Sequence, residues 1–400
     1  MQQFTGKQYL QMDIASNFGL DNKDWDVRLA WFESNQHQLH SLIKEAKEPA
    51  LYFAAVLAWE DVQAGKPSGY PISLDATCSG LQILSVLTGD SMAAKLCNVI
   101  NVGHRADAYT SLYISMVTKL GQEGRITRDK TKQAILTALY GSTAIPKEIF
   151  GTGILLGTFH ETMEEETPAV WELNKTYLSI WNPEWLKYSV VFPDNFHMHV
   201  KVMGQITEAV HFENAPYDVH YNVNMPTEEG RSLGANTTHG VDGMIVREMN
   251  RRCNYDPKVV AKVRIVLADC EAHDMGADDE DTEMVRILWG HYKETGYLSA
   301  RILDHIHMDN AGIVDYTVVM DLIDSLPAKP FEIICIHDCF RCLPNYGNDM
   351  RKQYNIQLHL IAKSTLLSSI LSQLMGREVK IGKFDDSMAD LILDADYSIC

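Results

Sequence analysis

The 400-residue sequence has no apolar run long enough to cross a bilayer. Its opening, MQQFTGKQYLQMDIAS, lacks the basic segment and apolar core of a secretory leader. Neither secretion nor membrane insertion is indicated. Cysteine is sparse, with eight residues at 78, 97, 253, 270, 335, 339, 342 and 400, a scatter unlike a small disulfide framework, so thiols are expected. Cys339 and Cys342 form a CxxC, but no second pair completes a four-ligand zinc site, and they read as core or turn residues. Positive charge is short: 35 Lys and Arg stand against 53 Asp and Glu, a formal charge of -18. That balance argues against extended nonspecific binding of nucleic acid by the whole surface, which needs Lys and Arg to neutralise phosphates, but leaves room for a local basic channel. The acidic stretches ETMEEETP (161–168) and HDMGADDEDTE (273–283) read as solvated faces or loops. No internal repeat or low-complexity linker divides the chain.

What is present is a folded composition, 46% hydrophobic and 22% charged, with length for two or three structural units. DVRLAWFESNQHQLHSLIKEAKEP and ALYFAAVLAWEDVQAG read as two helices parted at Pro49, the second ended by Gly65 and Pro67. SGYPISLD carries a short strand ending at Asp75, and CSGLQILSVLTG starts a helix behind it. Helices are expected from Asn101 to Leu120 and from Arg125 to Ser142, the latter closed by Gly141. YSVVFPDNFHMHVKV (188–202) turns to strand character around Pro193 and Asp194. HGVDGMIVREMN, VRIVLADC and FEIICIHDCF are further candidates for strands or short helices, and Phe331 to Ile336 reads as a buried strand.

Three pieces carry chemistry. Asp75 and Asp338 each leave a strand, where an unpaired charge needs either solvent or a cation. Asp338 alone reads as a turn aspartate; two carboxylates on adjacent strand ends instead suit divalent cations, and a pair of Mg²⁺ ions can activate an attacking oxygen while neutralising a leaving phosphate. Between them in sequence, Arg128 and Lys132 lie one helical turn apart on nearly the same side, while Ala134, Ile135, Ala138 and Leu139 give another side something apolar to bury. Tyr140 falls roughly 80 degrees round from Lys132 and borders the same groove. The two cations suit nucleotide phosphates, and the ring suits a base and sugar.

In this order, DATCSGLQ (75–82), RDKTKQAILTALYG (128–141) and IHDCF (336–340) resemble the three polymerase motifs of the single-subunit, T7-like and mitochondrial RNA polymerases. The resemblance implies that Asp75 and Asp338 bind two Mg²⁺ ions. It implies that Arg128, Lys132, Tyr140 and His337 serve the incoming nucleotide. NTTHGVDGMIVR (236–247) resembles the family's histidine segment, which implies that His239 joins Tyr140 in sensing the ribose 2′-hydroxyl. DIASNFGLDNKDWDVRLAWFE resembles the palm segment upstream of the first aspartate, and DADYSIC the C-terminal foot.

The implied fold is α+β, a right-hand palm and fingers lacking the N-terminal domain and thumb. Palm would occupy 1–105 and 239–400, fingers 106–238, with an unusual insertion at about 250–330. The chain most resembles the catalytic half of an N4-like bacteriophage RNA polymerase split into two subunits, soluble in the cytoplasm of the infected bacterium. Implied partners are template DNA, nascent RNA, ribonucleoside triphosphates, a companion subunit in a heterodimer and a possible recruiting factor. A DNA polymerase of related fold is disfavoured by CSGLQ and His239. A catalytically silent scaffold is disfavoured by the intact Asp75, Lys132 and Asp338.

Overall fold

In the computed structural model, residues 1–121, 126–213, 215–228, 232–268 and 276–400 are described; Arg125 and Cys270 fall outside them. Among the described residues seven strands are set among many helices: β1 Ile72–Asp75, β2 Lys187–Val191, β3 His197–Lys201, β4 Met203–Phe212, β5 Ala215–Asn224, β6 Ile334–Ile336 and β7 Cys339–Cys342. They form three small antiparallel sheets, ordered β1-β7-β6, β2-β3 and β4-β5. Helical and β segments are thus mixed, with no parallel crossover among the described residues.

The central sheet follows its alternation. Ile72 and Leu74 pair with Cys342 and Phe340, and all four are buried; Ser73 and Asp75 pair with Arg341 and Cys339 on the opposite face. Burying a side chain such as Phe340 contributes ~1.5–3 kcal/mol relative to exposure. The apolar face joins the main core with Leu81 and Leu84 of the helix Ser79–Thr88 and Tyr354 and Leu358 of the helix Gly347–Lys363. The expected buried strand over Phe331 to Ile336 is corrected here. Only Ile334–Ile336 is extended, and it is the sheet's edge, with Ile334 and Ile336 half exposed on the Asp75 face. An apolar run alone does not distinguish an edge strand from a central one.

Helix boundaries follow their caps. The expected helix from Asn101 starts only at Ala108, because Asp107 is extended and its carboxylate accepts from the backbone N–H of Tyr109 and Thr110. Thr127 caps the helix Arg128–Leu139, leaving Tyr140 just beyond its last turn. The opening segment divides into Trp25–Asn35 and a 3₁₀ stretch, Leu39–Glu45, before the helix Pro49–Gln63, whose proline occupies the first turn as expected. HGVDGMIVREMN lies inside one long helix, Ser232–Cys253.

Strands β2 and β3 flank Pro193 and Asp194 as expected. Asp194 is buried and accepts from Arg247 Nε and Nη2 and Arg251 Nη1; although burial opposes ionisation, these guanidinium groups hold its carboxyl below the ordinary value. The β4-β5 ribbon was not expected. Its strands pair over ten residues while both faces remain largely exposed, so polarity does not sort between them.

A second, separate core occupies the segment between Cys253 and Phe331. Val263, Val285, Leu288, Ile302, Val319 and Ile323 pack with one another rather than with the main cluster. The segment's two ends meet, since the Phe331 N–H donates to the Cys253 carbonyl at 2.7 Å. A third cluster joins Leu10 and Ile14 to Phe32, Tyr52 and Trp59. No helix of the described residues is long and apolar enough to cross a membrane.

Candidate active site

Asp75 ends β1 opposite Cys339, and the tight turn His337–Asp338 joins β6 to β7. The Ala76 N–H donates to the Asp338 carbonyl at 3.1 Å, tying the two acidic segments together beside their side chains. On the other side, the Asp75 N–H donates to the Cys400 carbonyl at 3.3 Å and the Cys400 N–H to the Asp75 carbonyl at 2.9 Å. Ala76 also bridges Ile399, so DADYSIC extends the sheet past β1. His337 has φ of 55°, a left-handed conformation uncommon outside glycine, and its side chain is exposed.

The Asp75 side chain keeps accessible surface while neighbouring protein replaces much of its surrounding water. That desolvation, and then the negative charge of Asp338, push its carboxyl up to about 6. Asp75, with its raised proton affinity, a second carboxylate beside it and no salt-bridge partner among the described residues, suits a cation in place of the proton. Among the described residues no group of three or more His, Cys, Asp or Glu is arranged as a metal cage. Two carboxylates fit Mg²⁺ better than zinc, because Mg²⁺ retains waters and takes substrate phosphates as its remaining ligands.

Tyr140 meets His239 with ring centroids 5.0 Å apart, inclined at 45°. Its hydroxyl lies over Gly80, where an added Cβ would come within 2.6 Å of the oxygen. Burial first, then the charges of Cys78, Asp242 and Asp338, push the phenol up to about 12, so it remains a donor at neutral pH. Lys132 is exposed, its ammonium 5.2 Å from the centre of the Tyr109 ring, and the Tyr109 hydroxyl meets Cys78 Sγ at 3.2 Å. The structure therefore brings Asp75, Asp338, Tyr140 and His239 to one region, with Lys132 at its margin. Arg128 is committed differently: its Nη2 lies 2.5 Å from Asp107 and its Nε donates to Thr110 Oγ1 at 2.7 Å.

Two carboxylates here escaped the sequence reading. Asp242 lies three residues after His239 on the same helix, and burial followed by the Asp338 charge pushes it up to about 6. The i, i+3 spacing from His239 was the available signal. Asp13 is buried behind β1, where its Oδ1 accepts from the Ser73 N–H at 3.0 Å and its Oδ2 from Tyr70 at 2.7 Å and Asn17 at 3.0 Å. It anchors the helix Gly6–Ala15 to the strand that carries Asp75, a pairing invisible in local sequence.

Residues 3–149 match the model of the DNA-dependent RNA polymerase family. The chain is homologous to the single-subunit RNA polymerases. A probable DNA-directed RNA polymerase of Neurospora crassa is 29% identical over 160 residues, 34% of this chain and 18% of the relative. The mitochondrial DNA-directed RNA polymerase of Schizosaccharomyces pombe is 26% identical over 167 residues, 35% of this chain and 14% of the relative. The DNA-directed RNA polymerase of Pseudomonas phage phiKMV is 27% identical over 173 residues, 34% of this chain and 21% of the relative. The chain thus spans about a fifth or less of the length of these polymerases. Asp75, Arg128, Lys132 and Tyr140 lie within the region matched by the family model, whereas His239, His337 and Asp338 lie beyond it.

Proposed function

We propose that this chain is the catalytic-half subunit of a DNA-directed RNA polymerase of bacteriophage type, acting in the infected host's cytoplasm. The observation that carries the reading is the meeting of Asp75 and Asp338 at one end of the β1-β7-β6 sheet, beside Tyr140 and His239. In this reading the palm comprises 1–105 and 239–400, the fingers 106–238, and 250–330 is an insertion.

Asp75 and Asp338 would hold two Mg²⁺ ions, which supply Lewis-acid activation of the attacking hydroxyl and charge neutralisation at the leaving pyrophosphate. Lys132 binds the triphosphate and offsets charge at the transferring phosphoryl group. Tyr140, protonated at neutral pH, and His239 frame the sugar and test for its 2′-hydroxyl. Arg128 reaches the nucleotide only on exchanging Asp107 for a phosphate, while His337 stands at the rim and orients the approach. The product is an RNA chain one residue longer, with pyrophosphate released.

The companion half would be a separate polypeptide that completes the template channel, with a recruiting factor as a further partner. The open edge at β6, with Ile334 and Ile336 half exposed, supports a missing neighbour. Primer extension on a DNA template, with and without the companion coexpressed and with ribo- or deoxyribonucleotides, tests the reading. Mg²⁺-dependent ribonucleotide addition requiring both polypeptides is expected. Template binding without incorporation in the assembled pair would favour a scaffold, and preference for deoxyribonucleotides a DNA polymerase.

A further inference from the structure

The helix Ser232–Cys253 ends in arginines that the candidate active site does not use. Arg247 and Arg251 are paired with Asp194, and Arg251 also with Glu248. Among the described residues Arg252 is not paired with a carboxylate. Its side chain is fully buried, donating from Nε to Gln353 Oε1 at 2.8 Å and from Nη2 to Ser325 Oγ, while Nη1 has no acceptor. Glu248, whose charge reaches it, is already hydrogen-bonded by Arg251, Ser299 and the Ala300 N–H. A buried guanidinium touched only by neutral oxygens is poorly compensated, and burial lowers its proton affinity.

Arg252 and Ser325 line a cavity of about 490 Å³ where the segment between Cys253 and Phe331 meets the helix Gly347–Lys363. Lys352 and His359 add basic groups to the wall, against the single acid Asp321. Leu298, Val318, Leu322 and Ile356 make the remainder largely apolar. The size lies within the ~300–1,000 Å³ of small-molecule sites.

We propose that this cavity binds a small amphiphilic organic anion. Its charged head compensates the guanidinium of Arg252 at the cavity wall, beside Lys352 and His359, and its apolar body covers the leucine and isoleucine walls. A trapped water would accept a hydrogen bond but would leave the charge unbalanced. No residue of the candidate active site lines the cavity, so this inference stands apart from the polymerase reading.

The test is calorimetric titration of the whole chain with octanoate, and with octanol as its uncharged counterpart. Octanoate is expected to bind at one saturable site at least tenfold more tightly than octanol, and Arg252→Met to erase that preference. Val318→Trp, which fills the cavity and leaves Arg252 intact, should abolish octanoate binding. Equal binding of octanoate and octanol, absence of octanoate binding, or octanoate affinity retained in folded Arg252→Met would overturn the proposal and leave an internal water as the partner of Arg252. If Arg252→Met does not fold, unchanged octanoate binding by Val318→Trp overturns it alone.

Discussion

The Tyr140 ring stands 5.0 Å from that of His239, with its hydroxyl over Gly80, so three segments distant in sequence enclose one phenol. Tyr140→Phe keeps the ring and deletes the hydroxyl. Incorporation should persist within about tenfold of the parent, while the preference for ribo- over deoxyribonucleotides falls by about tenfold or more. Competition between labelled CTP and dCTP reads the ratio. An unchanged ratio removes Tyr140 as the sugar sensor.

Gly80→Ala probes the same contact from below. A methyl group 2.6 Å from the Tyr140 oxygen cannot be accommodated without moving the ring. Nucleotide KM should rise several-fold, with a thermal midpoint reduced by only a few degrees. Unaltered KM together with unaltered sugar preference would show that the Tyr140 position is immaterial to the nucleotide.

Asp75→Asn and Asp338→Asn each remove one charge of the carboxylate pair. Either should lower nucleotide addition by at least ~10³-fold in the assembled enzyme while leaving far-UV dichroism unchanged. Lys132→Ala, at an exposed position, should lower kcat by about 10²–10³-fold with normal folding. Parent-like incorporation by Asp75→Asn sinks the assignment.

Asp13 offers a pH test of the scaffold. Burial raises its carboxyl from 3.8 to about 6 despite hydrogen bonds from Ser73, Tyr70 and Asn17. A carboxyl raised on folding favours the folded state fully below its unfolded pKa, and that contribution is lost as pH rises through about 6. Asp13→Asn cannot ionise, so its stability relative to the parent should increase by ~1–3 kcal/mol between pH 4 and pH 7.5. Urea unfolding at those two pH values measures it. A difference between the proteins that does not change with pH would show that Asp13 ionises freely in place.

The sequence made the site's parts legible more readily than their assembly. β1 and the helix behind it followed from a strand pattern and a turn, and the helix at Arg128 from its apolar residues and the stop at Gly141, although its Thr127 cap was not foreseen. Where a pattern was compatible with several neighbours, it failed. Ile334 and Ile336 look like core residues until the sheet order makes β6 an edge, and Arg128 looks free until Asp107 arrives from the preceding helix cap. Asp13 and Asp242 gained their significance only from residues far along the chain, Ser73 in one case and Asp338 in the other.

The hydrogen bond between Cys253 and Phe331 closes the base of a segment that has its own interior. A stretch whose ends touch can be gained, lost or exchanged during evolution without displacing the strands it interrupts, because the chain on either side already meets. β6 begins three residues beyond that junction, and the turn with Asp338 follows directly after it. Variation in the helices between Cys253 and Phe331 can therefore accumulate at a different tempo from the carboxylates.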